Sequence, residues 1–135
     1  MDYILITGTS SGIGLQTAIE LSIRPNTALI TLNRSAKSSK ISQDKILSAN
    51  PKALIKPFIA DFIYFSDVIA AAGKIRSTFS RICGIILNAG IMFCPYRLND
   101  DGIGWVTLDN TWGELQSGST TGSAYKIYGG CAYKL

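Results

Sequence analysis

Apolar and polar positions change rhythm in regular blocks as far as Gly90. Tyr3 to Ile6 is a short apolar run that stops at Thr7-Gly8, and from Ile13 an apolar series of helical period runs through Leu15, Ala18, Ile19 and Leu21. Strand, glycine turn and helix follow from that pattern. Pro25-Asn26 ends the helix, and Thr27 to Leu32, rich in β-branched and aliphatic residues, reads as a second buried strand. A strand, a helix and a strand form a right-handed crossover unit, which sets the two strands parallel.

The stretch from Ser35 to Lys45 is polar and mixed, and a short amphipathic helix is expected over Lys40 to Ala49. Leu54 to Ile59 reads as a third strand weakened by Pro57, Asp67 to Phe79 as a helix capped by Ser66, and Cys83 to Leu87 as a fourth buried strand. Four strands alternating with three helices predict an α/β doubly wound parallel sheet, with ligands at the carboxyl ends of the strands. Beyond Gly90 the pattern lapses. Leu98 to Gly104 is turn-rich, and Gly113 to Gly130 holds Gly, Ser and Thr without a sustained period, so residues 99–135 are expected to be irregular.

Composition narrows the chemistry. At 135 residues and 47% hydrophobic, with mean hydropathy +0.22, the chain is one domain or a piece of one, with enough apolar material for a core. Histidine is absent, which removes Ser-His-Asp and Cys-His mechanisms and histidine-ligated metals. The net charge of +4 is spread along the chain without the basic block of a nucleic-acid footprint, so no nucleic acid is expected as partner. Three cysteines, Cys83, Cys94 and Cys131, never two residues apart, indicate neither a disulfide framework nor a zinc site. No basic leader and no apolar run of membrane-spanning length is visible, so a cytoplasmic protein without a transmembrane segment is expected.

The sharpest feature is Thr7-Gly8-Thr9-Ser10-Ser11-Gly12-Ile13-Gly14, set where the first strand turns into the first helix. Glycines there let the backbone turn tightly and approach a pyrophosphate. The helix N-terminus supplies unpaired N–H groups and a positive dipole, and Ser10 and Ser11 add hydroxyls. The missing Gly-Lys-Ser/Thr ending argues against an NTP-hydrolysing loop. At the end of the second strand, Leu32-Asn33-Arg34-Ser35 offers no carboxylate for a ribose hydroxyl. Arg34, with Lys37 and Lys40 nearby, instead suits a 2′-phosphate, so NADP(H) is favoured over NAD(H).

The glycine spacing resembles the T-G-x-x-x-G-x-G motif of the short-chain dehydrogenase/reductase family. Asn88-Ala89-Gly90 is similar to that family's N-A-G motif, and Ala60-Asp61 falls in order between them. The resemblance runs from Met1 to about Gly102 and implies a Rossmann-like sheet, of which this chain holds the N-terminal part: a dinucleotide-binding region over residues 1–98 and an incomplete catalytic segment over 99–135. It also implies roles. Gly8, Ser10, Ser11, Gly12, Ile13 and Gly14 would wrap the cofactor phosphates, Asp61 would meet the adenine, and Asn88, Ala89 and Gly90 would line the adenosine. Cys94-Pro95-Tyr96-Arg97-Leu98 and Asp101-Gly102-Ile103 look like the retinol-dehydrogenase-like and WW-domain oxidoreductase-like branch, which implies a lipophilic carbonyl or alcohol as substrate.

Carbonyl reduction needs an acid for the developing alkoxide and a cation that brings its pKa toward neutrality. The family uses Tyr-x-x-x-Lys and a preceding serine, since a free phenol titrates near ~10. No tyrosine here has a lysine four residues later: Gly129 follows Tyr125 at that spacing and Ala132 follows Tyr128. Gly129 to Leu135 resembles the approach to the family's tyrosine segment, cut off before its lysine, which makes Tyr133 the candidate acid, Ser119 the substrate-orienting hydroxyl and Asn110 the relay residue. Asn110 and Ser119 are only nine positions apart, closer than in the family, which implies a deletion as well as a truncation. The resulting expectation is an NADP(H)-binding oxidoreductase with weak or no activity. The alternative is a non-catalytic dinucleotide-binding or dimerising module, a homodimer or a heterodimer with a full-length relative.

Overall fold

The computed structural model describes residues 1–90, Leu98, 125–128 and 131–134, the last two segments through their backbone pairing. Its first part alternates strand and helix: β1 (Asp2–Thr7), α1 (Gly12–Ser22), β2 (Thr27–Asn33), α2 (Ala36–Ala49), β3 (Leu54–Ile59), α3 (Phe65–Thr78) and β4 (Gly84–Ile86). β1 to β4 form one parallel sheet in the order β3-β2-β1-β4, with Leu5 opposite Ile30 on one side and Ile85 on the other. The doubly wound α/β sheet expected from the alternation is therefore present.

Each face of the sheet has its own core. Leu5, Ile30, Leu32 and Ile85 pack with Phe62, Val68, Ala71, Ile75 and Phe79 under α3. Ile6 and Leu29 pack with Ala18 and Ile46 under α1 and α2. Side chains of a strand alternate between faces, and this sheet is covered on both sides, which is why β2 is buried at every position from Ala28 to Asn33. Pro57 is accommodated because β3 is the outermost strand of this sheet, next to β2 alone, where a missing N–H need not break a ladder.

Two helix starts differ from the sequence expectation. α2 begins at Ala36 rather than Lys40, because Ser35 caps it. The Ser35 Oγ accepts from the Ser38 backbone N at 3.2 Å and Ser38 Oγ accepts from the Ser35 backbone N at 3.1 Å, a reciprocal capping box. Ser66 does not cap α3. The capping position is Tyr64, which makes no side-chain cap bond, and the chain has already turned at Asp61, whose Oδ1 accepts from Ile63 N at 3.2 Å and whose carbonyl accepts from Tyr64 N at 3.0 Å. Residues 99–135, left without strands by the sequence pattern, contribute an antiparallel pair, β5 (Tyr125–Tyr128) and β6 (Cys131–Lys134).

Candidate cofactor cleft

The turn between β1 and α1 is built from residues that tolerate what their neighbours cannot. Gly8 (φ 68°) and Gly12 (φ 59°) take left-handed backbone that favours glycine. A Cβ on Gly8 would stand 2.8 Å from Ala89 Cα, and one on Gly14 would overlap Asn88 Nδ2 and the Gly8 carbonyl oxygen. These two glycines let the turn lie directly against the end of β4.

Side chains then lock that approach. Asn88 Nδ2 spends both hydrogens on the turn, donating to Thr7 O at 3.2 Å and Gly8 O at 3.1 Å. In return Thr7 Oγ1, fully buried, accepts from the backbone N of Asn88 and of Ala89, each at 2.9 Å. The turn is tied to β2 as well: Gly8 N donates to Leu32 O at 3.0 Å and Thr9 N donates to Asn33 Oδ1 at 3.0 Å.

A cleft of about 330 Å³ opens at the carboxyl ends of all four strands. Gly8, Ser10 and Ser11 form one wall and Asn88, Ala89 and Gly90 the opposite one; Leu32, Asn33, Arg34, Ser38, Ala60 and Phe62 complete it. α1 starts at the rim with no acidic residue in its first turn, and Ser11, its N-cap, makes no side-chain cap bond. The first N–H groups of a helix have no partner within it, and its dipole adds positive potential there. Arg34 is exposed at the mouth, without an ion pair among the described residues, whereas Lys40 pairs with Asp44 at 3.5 Å. The cleft is thus polar along its turn, apolar toward Ala60 and Phe62, and cationic at the β2 end.

Most of the candidate cofactor residues named from the sequence come together here: Gly8, Ser10, Ser11, Arg34, Asn88, Ala89 and Gly90 line the cleft, and Gly12, Ile13 and Gly14 form the first turn of the helix beside it. Asp61 does not line it; its carboxylate turns back onto the backbone N of Ile63, and its neighbours Ala60 and Phe62 form the wall instead. Asn33, Ser38 and Phe62 are lining residues that motif reading passed over. Their signal was position alone, at the carboxyl ends of β2 and β3. Tyr133 lies on β6, where its backbone pairs with Lys126, and Asn110 and Ser119 lie outside the described residues. Among the described residues no group of carboxylates and cysteines could hold a metal, and no helix is long and apolar enough to cross a membrane.

Comparison with known proteins agrees with this geometry. The profile of the short chain dehydrogenase family matches residues 2–107. Short-chain dehydrogenase TIC 32 A, chloroplastic, of Brassica napus is 34% identical over 99 residues, covering 73% of this chain and 31% of the relative. Retinol dehydrogenase 13 of Homo sapiens is 28% identical over 99 residues, with the same 73% and 31% shares. The chain therefore spans about a third of the length of the curated relatives it matches. Among solved structures, a short-chain dehydrogenase from Sphingobium yanoikuyae in complex with NADPH superposes with a TM-score of 0.71 at 23% identity, over 90% of this chain and 47% of that one. With the glycine-rich turn, the Asn88-Ala89-Gly90 wall and the doubly wound sheet in their places, this chain belongs to the short-chain dehydrogenase family.

Proposed function

We propose that the cleft binds a nicotinamide dinucleotide and favours NADP(H) over NAD(H). The observation that carries this reading is the pairing, in one cleft, of a glycine-rich turn pressed against Asn88 and Ala89 with an Arg34 at the end of β2 that is exposed and unpaired among the described residues. The residues fit such a ligand. A pyrophosphate would meet the first N–H groups of α1 at Gly12, Ile13 and Gly14, together with the hydroxyls of Ser10 and Ser11. Arg34 would meet a 2′-phosphate with a planar, always charged donor fork, and no carboxylate stands at that strand end to take a ribose hydroxyl. Ala60, Phe62 and Ala89 offer apolar surface for an adenine ring, with Asp61 beside them.

The nicotinamide, when bound, exchanges a hydride with a carbonyl or alcohol carbon, and the branch resemblance points to lipophilic substrates. Within this chain Tyr133 is the proposed proton donor, Ser119 the hydroxyl that orients the substrate oxygen and Asn110 the relay residue. Gly129 and Ala132 stand four residues after Tyr125 and Tyr128, so neither of those tyrosines has the lysine that would lower a phenol's pKa, which leaves Tyr133 as the candidate. The alternative of a silent dinucleotide-binding module differs from this reading only in turnover.

Titration of the chain with NADPH and with NADH, read by cofactor fluorescence, tests the proposal. Saturable binding with NADPH the tighter ligand supports it. Equal affinities remove the Arg34 reading, and binding of neither removes the cofactor reading altogether.

A further inference from the structure

Three polar side chains lie buried beneath the glycine-rich turn, where apolar ones would cost less to desolvate. Thr9 and Ser42 are 0% exposed and Asn33 is 4% exposed. Each is satisfied by the others. The Asn33 carboxamide holds Thr9 at two points, Oδ1 accepting from Thr9 N at 3.0 Å and Nδ2 donating to Thr9 Oγ1 at 3.0 Å. Thr9 Oγ1 then shares a 2.7 Å hydrogen bond with Ser42 Oγ, one helical turn beyond Ser38 on α2.

The network joins three elements that each supply part of the cleft. Thr9 sits between Gly8 and Ser10 of the turn, Asn33 immediately precedes Arg34, and Ser42 lies on the same helix as Ser38. A ligand anchored at both a pyrophosphate and a 2′-phosphate is sensitive to the distance between its two anchors, and a satisfied buried network fixes that distance in advance.

Resting on the dinucleotide reading of the cleft, we propose that the Thr9–Asn33–Ser42 network is a positioning device for cofactor specificity. It holds the Arg34 end of β2 and the start of α2 at a set separation from the glycine-rich turn. Thr9 and Ser42 do not line the cleft; they act through Asn33, Arg34 and the turn. NADPH, held at both anchors, depends on the network, whereas NADH, held at the turn alone, depends on it less.

The test compares dissociation constants for NADPH and NADH in the wild-type chain, Thr9→Val, Thr9→Ser and Ser42→Ala, with thermal melting to verify folding. Valine keeps the threonine's shape and removes the hydroxyl that both Asn33 and Ser42 bond. The expected result is an NADPH affinity weakened roughly tenfold in Thr9→Val, the worth of about one good hydrogen bond, with NADH changed about twofold or less. Thr9→Ser, which keeps the hydroxyl, restores the wild-type ratio. Should Thr9→Val not fold, Ser42→Ala carries the same comparison with a smaller shift in the same direction. Unchanged constants, or equal weakening of both cofactors, would overturn the positioning role while leaving the cofactor site standing. A wild-type chain that binds neither cofactor overturns both.

Discussion

Arg34, Gly14 and Thr31 show three different ways a single side chain matters here. Arg34 contributes nothing visible to packing: it is exposed and unpaired among the described residues. Its replacement by alanine should leave the free energy of unfolding within about half a kcal/mol of wild type. NADPH binding should weaken roughly tenfold or more, the worth of a charge-assisted bond pair, while NADH binding barely moves. Gly14 is the opposite case, since a methyl group there overlaps Asn88 and the Gly8 carbonyl, neither of which can swing away without breaking the lock between turn and β4. Gly14→Ala should cost about 1–3 kcal/mol in urea unfolding, and cofactor binding with it. Thr31, on β2, carries a fully buried hydroxyl with no hydrogen-bond partner among the described residues. Thr31→Val should therefore stabilise the chain, by about 1 kcal/mol, by removing an uncompensated polar group at nearly constant shape. A loss of stability would mean that the hydroxyl is bonded in solution.

At the scale of elements, α2 is the part whose legibility is most instructive. Its buried face is Ser39, Ser42 and Ile46, so the inward positions recur with helical spacing but two of the three are polar. A search for apolar periodicity finds only the second half of such a helix, from Lys40. The polar face exists because Ser42 answers Thr9 beneath the cleft, a reason that no local pattern contains. The start was encoded more quietly, as a serine three residues before another serine, where glutamate or glutamine is the familiar partner. Ser35→Ala should cost about 1 kcal/mol of stability, measured by denaturant titration, since it removes the N-terminal cap of α2. α3 failed differently: Ser66 looked like a cap, but the turn at Asp61 begins the helix earlier and places Ser66 inside it. By contrast β1, β2 and the glycine turn were readable outright, because strand, φ > 0 glycines and helix all serve the same backbone path. For β5 and β6, the two glycines between them, Gly129-Gly130, were the one hairpin signal in a stretch otherwise lacking alternation.

For the whole molecule, the sheet order β3-β2-β1-β4 gathers the ends of all four strands into one cleft, and residues from 8 to 90 meet there although they are far apart in sequence. Cofactor binding therefore should stabilise the fold as a unit, by about 2.7 kcal/mol at a NADPH concentration one hundred times its dissociation constant. A melt that ignores saturating NADPH would contradict this coupling. Hydrogen exchange with and without NADPH reads most directly where the ligand sits. Protection is predicted at residues 8–15, 33–38, 60–62 and 88–90, the turn, the Arg34 end of β2 with the start of α2, the β3 exit and the Asn88 wall. Binding accompanied by protection elsewhere, with these segments unchanged, would contradict the assignment of the cleft.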